Sequence, residues 1–150
     1  GIKRRQEIIC SEPNYLVIDD FAHHPTAVEI TLREVKKAYN PEDTILIFEP
    51  RTNSSKRKIF QDAYSRALEL ADIIFLKSPP GLENIPEAER INLELLKENL
   101  IQKGKEVYLF KENFAFTQIS FKNDRKSLFV FMSSAFMVKE IMALKEALKK

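Results

Sequence analysis

The sequence predicts an α/β domain whose mostly parallel sheet is flanked by helices on both faces. Short runs of β-branched and aromatic residues alternate with longer amphipathic stretches, which is the pattern of a parallel sheet covered by helices. The 150 residues are enough for one domain that buries roughly 70% of its unfolded surface. Hydrophobic residues make up 44% and charged residues 31%, the balance of a soluble globular protein.

The strands are predicted from short apolar runs bounded by polar or turn-forming residues. They cover residues 15–18, 44–48, 73–76, 106–110 and 128–132. Residues 5–10 are a candidate for an extra edge strand, and residues 113–122 fit either a short helix or an irregular strand. In a sheet of this kind ligands gather at the carboxyl ends of the strands, where the loops begin.

The helices are predicted from apolar residues at helical spacing. The first covers residues 26–39, and Pro25 before it is a favoured first-turn residue. Ser54 or Ser55 is expected to cap a second helix that runs to about Leu70. The inward face of that helix is predicted to be Phe60, Ala63, Ala67 and Leu70. A third helix ends near Gln102 and a last helix closes the chain, which completes a Rossmann-like arrangement.

The net charge, the cysteine content and the lengths of the apolar runs exclude several classes of protein. The 24 basic and 22 acidic residues leave a formal net charge of only +2, which argues against a nucleic-acid binder held mainly by phosphate contacts. Cys10 is the only cysteine, so an internal disulfide cannot form and we expect a reducing, cytoplasmic location. No apolar run approaches the roughly 18–20 residues that span a bilayer, so we expect no membrane partner.

The positions of the glycines exclude the two common phosphate-binding loops. Glycine occurs only at positions 1, 81 and 104, so the chain contains neither G-x-x-x-x-G-K-[ST] nor G-x-G-x-x-G. If this chain handles ATP, another domain must therefore hold the triphosphate. No group of Cys and His residues has zinc-binding spacing, and we predict no directly bound metal.

The first candidate site is the loop of residues 19–25, which reads D-D-F-A-H-H-P. Two carboxylates and two imidazoles lie in this loop, between a buried strand and the start of a helix. They belong to Asp19, Asp20, His23 and His24. A carboxylate there can accept ribose hydroxyls or waters around a magnesium ion, and a histidine beside a helix N-terminus can donate to an anion. The alternative is that an aspartate caps local backbone and that the histidines are merely exposed.

The second candidate site is the loop of residues 49–56, which reads E-P-R-T-N-S-S-K. Arg51 and Lys56 follow the end of a strand and can clamp an anionic substrate, because the planar guanidinium binds both oxygens of a carboxylate. The alternative is a solvated helix start with ordinary surface charge. The same alternative of a solvated segment is preferred for Lys3, Arg4 and Arg5 near the start of the chain.

Together the two loops resemble the C-terminal domain of Mur ligases. Residues 20–25, D-F-A-H-H-P, look like the D-[YF]-[AG]-H-x-P motif that opens this domain in Mur ligases and folylpolyglutamate synthases. Residues 49–56 are similar to the E-P-R-[ST]-N-x-x-K of the murein-peptide ligase branch, whereas the L-alanine-adding branch has a Q-P-H-R-F type of sequence. The opening residues 1–7, G-I-K-R-R-Q-E, also look like the junction that leads into the domain.

The resemblance implies one domain, residues 1–150, at the C-terminus of a three-domain, ATP-dependent ligase of peptidoglycan recycling. That enzyme would join UDP-N-acetylmuramate to the tripeptide L-alanyl-γ-D-glutamyl-meso-diaminopimelate through an acyl phosphate. The N-terminal and central domains of the same chain would be its partners, and the central domain would hold most of the ATP and Mg²⁺. The catalytic machinery would be incomplete in this domain, which would be inactive alone. The same domain of a UDP-N-acetylmuramate–L-alanine ligase, or a non-catalytic binding module of this fold, remains an alternative.

The resemblance also implies roles for individual residues. Asp20, His23 and Pro25 would lie on the ATP side, while Arg51, Asn53 and Lys56 would bind the incoming peptide. One segment departs from the family, since the turn after the last strand usually contains glycine and here reads M-S-S-A-F at residues 132–136.

Overall fold

The computed structural model describes residues 4–114, 116 and 125–149, and in this part of the chain six strands form one sheet. The strands are β1 (Glu7–Glu12), β2 (Tyr15–Asp20), β3 (Asp43–Phe48), β4 (Ile73–Lys77), β5 (Glu106–Phe110) and β6 (Ser127–Met132). The α-helices are α1 (Pro25–Tyr39), α2 (Gln61–Leu68), α3 (Leu93–Gln102) and α4 (Val138–Leu148). The predicted α/β class with a mostly parallel sheet is confirmed.

The strand order is β1-β2-β6-β3-β4-β5. β1 runs antiparallel to β2 at one edge, as predicted for the extra edge strand, and the other neighbouring strands are parallel. Met132 at the end of β6 is in register with Asp20 of β2 and with Phe48 of β3. The loops that follow these three strands therefore begin side by side, with the β6 loop in the middle.

Alternate residues of the central strands face two separate cores. Leu46 and Phe48 join one core, which α1, α2 and α3 cover. Ile45 and Ile47 join the other, which α4 covers together with a cluster of phenylalanine side chains. The central strands show no alternation of polar and apolar residues, because both faces of the sheet are buried. The predicted helices on both faces are thus present.

The bounds of α1 follow from its terminal residues. Pro25 is the first helical residue. A backbone N–H at this position would have no hydrogen-bond partner within the helix, so the absence of an N–H in proline costs nothing there. Asn40 ends the helix in the left-handed conformation, with φ of 51°, and its backbone N–H donates to the carbonyl of Lys36. Val28, Leu32, Val35 and Tyr39 lie at helical spacing on one face, and the first three are buried while Tyr39 is half-buried.

The prediction for the second helix was wrong at its start and partly wrong in its face. Neither Ser54 nor Ser55 caps it: a single 3₁₀ turn covers Lys58–Phe60, and α2 begins only at Gln61. The delay has a physical cause, since Lys58 donates its backbone N–H to the carbonyl of Glu89 and so pairs with a distant segment. The buried apolar face is Tyr64, Ala67 and Leu68, while Ala63 is only half-buried.

Two predictions lie partly outside the described residues. They are the junction motif at residues 1–7, of which residues 1–3 lie outside, and the ambiguous segment at residues 113–122, of which only residues 113, 114 and 116 are described. Among the described residues, no helix is long and apolar enough to cross a membrane.

Candidate functional site

Three loops meet at the carboxyl ends of β2, β6 and β3. We call residues 19–25 the first loop, residues 49–56 the second loop, and residues 133–136 the β6 turn. Both loops singled out from the sequence lie at this edge of the sheet, and the β6 turn separates them.

Asp19 is fully buried and binds Arg4 through both of its oxygens. The Arg4 Nε and Nη2 atoms lie 2.7 Å and 3.1 Å from the two carboxylate oxygens. The same guanidinium donates to the carbonyls of Ser133, Ser134 and Ala135 at 3.2 to 3.3 Å. The interpretation of Arg4 as part of a solvated entry segment is therefore wrong. Arg5 is exposed, and Lys3 lies outside the described residues.

Asp20 is also buried, and each of its oxygens accepts one backbone N–H. Oδ1 accepts from Ala22 at 2.7 Å and Oδ2 accepts from Gln6 at 2.9 Å. Arg4 and Gln6 both have positive φ angles, 63° and 48°, which direct the entering chain back towards the first loop. The local contact with Ala22 agrees with the capping alternative, yet each carboxylate oxygen keeps a second lone pair for a ligand.

The two histidines are held by neighbours rather than merely exposed. The His23 Nδ1 donates to the carbonyl of Phe21 at 2.8 Å, and Nε2, with no hydrogen bond to any described residue, is the atom that can meet a ligand. The Tyr64 hydroxyl donates to the backbone carbonyl of His23, and burial raises the pKa of this phenol well above its usual value. The His24 Nε2 lies 3.1 Å from the Ser54 hydroxyl, a contact between the first and second loops.

A cavity of about 370 Å³ opens between the first loop and α1. Ala22, Ala27 and Ile30 supply an apolar wall, and Asp20 and His23 supply polar atoms. An apolar wall beside a few placed polar groups suits part of a nucleotide, since a base or ribose presents flat apolar faces and hydroxyl donors. The residues present thus fit the ATP-side role that the resemblance implies for Asp20 and His23. Pro25 is buried and begins α1 directly below them.

The second loop presents Arg51 and Asn53 outward. Both residues are exposed, and the Arg51 guanidinium lies 3.6 Å from the carboxylate of Glu49. Their loop holds its shape through Thr52, whose side chain accepts the backbone N–H of Ser55 at 3.2 Å. Arg51 is therefore a cation on an ordered loop, in a position to meet an anionic substrate.

Lys56 is placed differently from the other two predicted peptide-binding residues. The residue is only 8% exposed, and its Nζ donates to the carbonyl of Pro80 at 3.0 Å. Gly81 next to it has a φ of 81°, and a Cβ there would lie 3.6 Å from Lys56 Nζ. Lys56 thus ties the second loop to the loop after β4, whereas Arg51 and Asn53 remain available at the surface.

Glu49 and Ser133 are site residues that the sequence analysis did not assign. Glu49 follows β3 and is fully buried, and its Oε1 accepts a hydrogen bond from the Ser133 hydroxyl at 2.9 Å. Ser133 follows β6 and is buried as well. A charged residue directly after an apolar strand was the available signal for Glu49, but its partner lies 84 residues away in the sequence.

The β6 turn needs no glycine in this chain. Within the described residues the positive φ angles outside glycine are at Arg4, Gln6 and Asn40, so residues 133–136 use ordinary backbone conformations. Three consecutive carbonyls of this turn accept from Arg4, and Phe136 packs its ring 5.4 Å from the same guanidinium. The missing glycine is thus compatible with a turn that is fixed by Arg4.

A second cavity, of about 530 Å³, lies at the carboxyl ends of β4 and β5. Phe110 contributes an apolar surface to its lining, Arg90 and Lys111 contribute positive charge, and the negative charge comes from Glu83, Glu87 and Glu94. It borders the second loop, because Ile91 in its lining donates its backbone N–H to the carbonyl of Lys56 at 2.6 Å. Its mixed charge suits a zwitterionic ligand. Across the described residues, no three His, Cys, Asp or Glu side chains are grouped to hold a metal ion.

The family model described as "Mur ligase, glutamate ligase domain" matches residues 4–135. The chain is 34% identical over 115 residues to the UDP-N-acetylmuramate–L-alanine ligase of Borreliella burgdorferi, a match that covers 75% of this chain and 24% of that protein. The chain therefore spans about a quarter of the length of the curated relatives it matches.

Two solved structures have the same fold. A murein peptide ligase from Psychrobacter arcticus has a TM-score of 0.69 and 29% identity, over 96% of this chain and 30% of that one. A UDP-N-acetylmuramate–alanine ligase from Thermotoga maritima has a TM-score of 0.71 and 22% identity, over 99% of this chain and 30% of that one. The comparisons thus include proteins with two different acceptors in their names.

Proposed function

Because the chain belongs to the Mur ligase family, as its glutamate ligase domain, we propose that it is the C-terminal domain of a three-domain ATP-dependent ligase that acts on UDP-N-acetylmuramate. In that reaction the muramate carboxylate takes a phosphoryl group from ATP, and an incoming amine then displaces phosphate to form the amide. The chain itself has no loop that cradles a triphosphate, which supports a role as one part of a larger enzyme. Alone it is inactive.

The first loop forms the ATP side of this domain. The 370 Å³ cavity beside it, with Asp20 and His23 at its polar rim, supports this assignment. Asp20 accepts from ribose hydroxyls or from magnesium-bound water with the lone pairs that Gln6 and Ala22 leave free. Residues of the central domain would hold most of the magnesium, which would neutralise the charge of the phosphates.

The acceptor is the tripeptide L-alanyl-γ-D-glutamyl-meso-diaminopimelate, and the second loop binds it. The observation that carries this proposal is the pair Arg51 and Asn53, exposed on an ordered loop whose E-P-R-T-N sequence resembles the murein-peptide ligase branch. The guanidinium binds a carboxylate of the peptide through both oxygens. Orienting the peptide in this way contributes several kcal/mol to a bimolecular reaction.

Two further features support a long acceptor. The 530 Å³ cavity borders the second loop and carries charges of both signs, which match a peptide that ends in an ammonium group and carboxylates. Lys56 joins the second loop to the loop beside that cavity through Pro80, and so contributes by holding the peptide-binding surface together. Free L-alanine is much smaller than this surface.

L-Alanine remains the second candidate acceptor, since the relative from Borreliella burgdorferi is named as an L-alanine ligase. The test is phosphate release by the full-length protein from ATP with UDP-N-acetylmuramate and either acceptor. We expect the tripeptide to react far faster than L-alanine. Equal or faster release with free L-alanine would overturn the choice of the tripeptide and leave the family assignment intact.

The role of the second loop is tested by Arg51→Ala in the full-length protein. We expect the Michaelis constant for the acceptor to rise about tenfold, the effect of losing one hydrogen-bonded ion pair, while that for ATP changes little. Arg33→Ala is the matched control, because Arg33 is an exposed arginine on α1 that pairs only with its helical neighbour Glu29 among the described residues. A larger effect of Arg51→Ala on ATP than on the acceptor would show that the loop is misassigned.

A further inference from the structure

Glu49 is a buried carboxylate that is only partly satisfied. Its side chain is 1% exposed, and Oε1 accepts from the Ser133 hydroxyl at 2.9 Å. The other oxygen, Oε2, accepts no hydrogen bond from any described residue. Arg51 Nη1 lies 3.6 Å from Oε2, which is an ion-pair distance but longer than the 2.7–3.2 Å of a hydrogen bond.

A buried carboxylate oxygen without a donor is unfavourable, because water has been removed and nothing replaces it. The Arg51 guanidinium is the cation beside this oxygen, and a guanidinium carries five N–H donors in a fixed plane. One edge of the plane can thus face Glu49 while another edge binds the carboxylate of a substrate. The buried charge limits where an otherwise half-exposed arginine can lie.

Ser133 fixes Glu49 from the opposite side. It is fully buried at the end of β6, and its carbonyl accepts from Arg4 Nη2 at 3.2 Å while its hydroxyl donates to Glu49. Arg4 in turn binds Asp19 at the end of β2. A continuous series of hydrogen bonds therefore runs from the entering segment of the chain, through the β6 turn, to Glu49 beside Arg51.

We propose that Glu49, held by Ser133, is a positioning residue that orients Arg51 for the carboxylate of the incoming acceptor. This inference rests on the proposed role of Arg51 as the acceptor-binding cation. Glu49 itself touches no substrate, since its side chain is buried. The effect of Glu49 on the reaction passes through Arg51, and it disappears when Arg51 is absent.

The experiment is a double-mutant cycle in the full-length protein, with Glu49→Gln, Arg51→Ala and the combined variant. Glu49→Gln keeps an oxygen for the Ser133 hydroxyl but removes the charge next to Arg51 and places N–H donors there. We expect Glu49→Gln to raise the Michaelis constant for the acceptor by up to about tenfold, with little change in kcat or in the constant for ATP. In the Arg51→Ala background we expect Glu49→Gln to add no further increase, because coupled residues are not additive.

The matched control is Glu140→Gln, which makes the same change at another buried carboxylate. Glu140 lies on α4 with a side-chain exposure of 4%, and its ion-pair partner among the described residues is Lys77 at 2.7 Å rather than Arg51. We expect it to leave the acceptor constant unchanged. An equal rise for Glu140→Gln would mean a general loss of stability, and the positioning role would be rejected.

The remaining outcomes separate this inference from the function it rests on. If Arg51→Ala leaves the constants for both tripeptide and L-alanine unchanged, the proposed role of the second loop fails. If Arg51→Ala acts but Glu49→Gln has no effect, or an additive one, only the positioning role fails. Should Glu49→Gln not fold, Ser133→Ala replaces it in the cycle, with the same sign and non-additivity expected and a smaller rise. An additive or absent effect of Ser133→Ala then overturns the inference.

Discussion

The first and second loops lie on either side of the β6 turn, and they are held in different ways. In the first loop both aspartates are buried and bonded, Asp19 to Arg4 and Asp20 to the backbone N–H groups of Gln6 and Ala22. In the second loop Arg51 and Asn53 are exposed, and among the described residues the arginine has only a long ion pair with Glu49. The second loop is ordered mainly through its hydroxyl groups and through Lys56.

The first loop therefore presents a surface whose side chains are fixed by hydrogen bonds, and the second loop presents side chains that mutation can replace more easily. Side chains that are already ordered lose little conformational freedom when a ligand binds, which suits a group common to many related enzymes such as the nucleotide. Exposed side chains can be exchanged at small cost to stability, which suits the part of the site that distinguishes one acceptor from another.

The largest expected effect is a difference in the free energy of unfolding between a variant of the first loop and a variant of the second loop. Asp19→Asn breaks a buried, bidentate ion pair and leaves the Arg4 guanidinium without its counter-charge. We expect the free energy of unfolding to fall by about 3 kcal/mol, whereas Asn53→Ala, at an exposed residue of the second loop, should change it by less than about 0.5 kcal/mol. Urea unfolding of the 150-residue chain measures both values. Similar losses for the two variants would contradict the distinction between the loops.

The sequence was sufficient to predict the strands and most helices, because their signals are local. The apolar runs of β3, β4, β5 and β6 placed each strand within one residue at either end. Pro25 placed the start of α1 for a local reason as well, since proline favours the first helical turn. The edge strand β1 was predicted, although it begins two residues later than expected.

The features that the sequence did not predict depend on distant partners. Arg4 looked like solvated charge, and its role appears only when positive φ angles at Arg4 and Gln6 return the entering chain to Asp19. The start of α2 was misplaced because the Ser54–Lys58 segment pairs with Glu89 and Ile91, more than 30 residues later. The contact between Glu49 and Ser133 arises from the insertion of β6 beside β3, which no local pattern encodes.

A smaller effect tests whether the Lys56 side chain stabilises the fold through its hydrogen bond or behaves like the exposed residues of the second loop. Lys56→Met retains much of the length and the apolar stem of the side chain but removes the hydrogen bond to the carbonyl of Pro80. We expect a loss of about 1.5 kcal/mol in the free energy of unfolding, the contribution of one hydrogen bond from a charged donor, with faster hydrogen exchange at Asn84 and Ile85. Lys58→Met is the control, because Lys58 is exposed and should give a change below about 0.5 kcal/mol. A loss no larger than that of the control would place Lys56 with Arg51 and Asn53.

The smallest expected effect concerns the support of the first loop by Tyr64. This fully buried phenol donates to the carbonyl of His23, and Tyr64→Phe removes only the hydroxyl. We expect the variant to lose about 1 kcal/mol at pH 8, the net contribution of one buried hydrogen bond. Urea unfolding at fixed pH measures the difference between the two proteins.

The same pair of proteins gives a pH dependence with a defined sign. Burial raises the pKa of Tyr64 in the folded chain above its value of 10 in the unfolded chain, so the stability gained from the neutral phenol is present below pH 10 and is lost as the pH rises. At pH 11 ionisation favours the unfolded wild-type chain by about 1.4 kcal/mol, and Tyr64→Phe has no such term. The advantage of the wild type seen at pH 8 should therefore vanish or reverse at pH 11. Because the other tyrosines are present in both proteins, their ionisation cancels in the difference. An advantage that stays constant across this range would mean that Tyr64 ionises as readily in the folded chain as in the unfolded one, and that the first loop leaves its hydroxyl open to water.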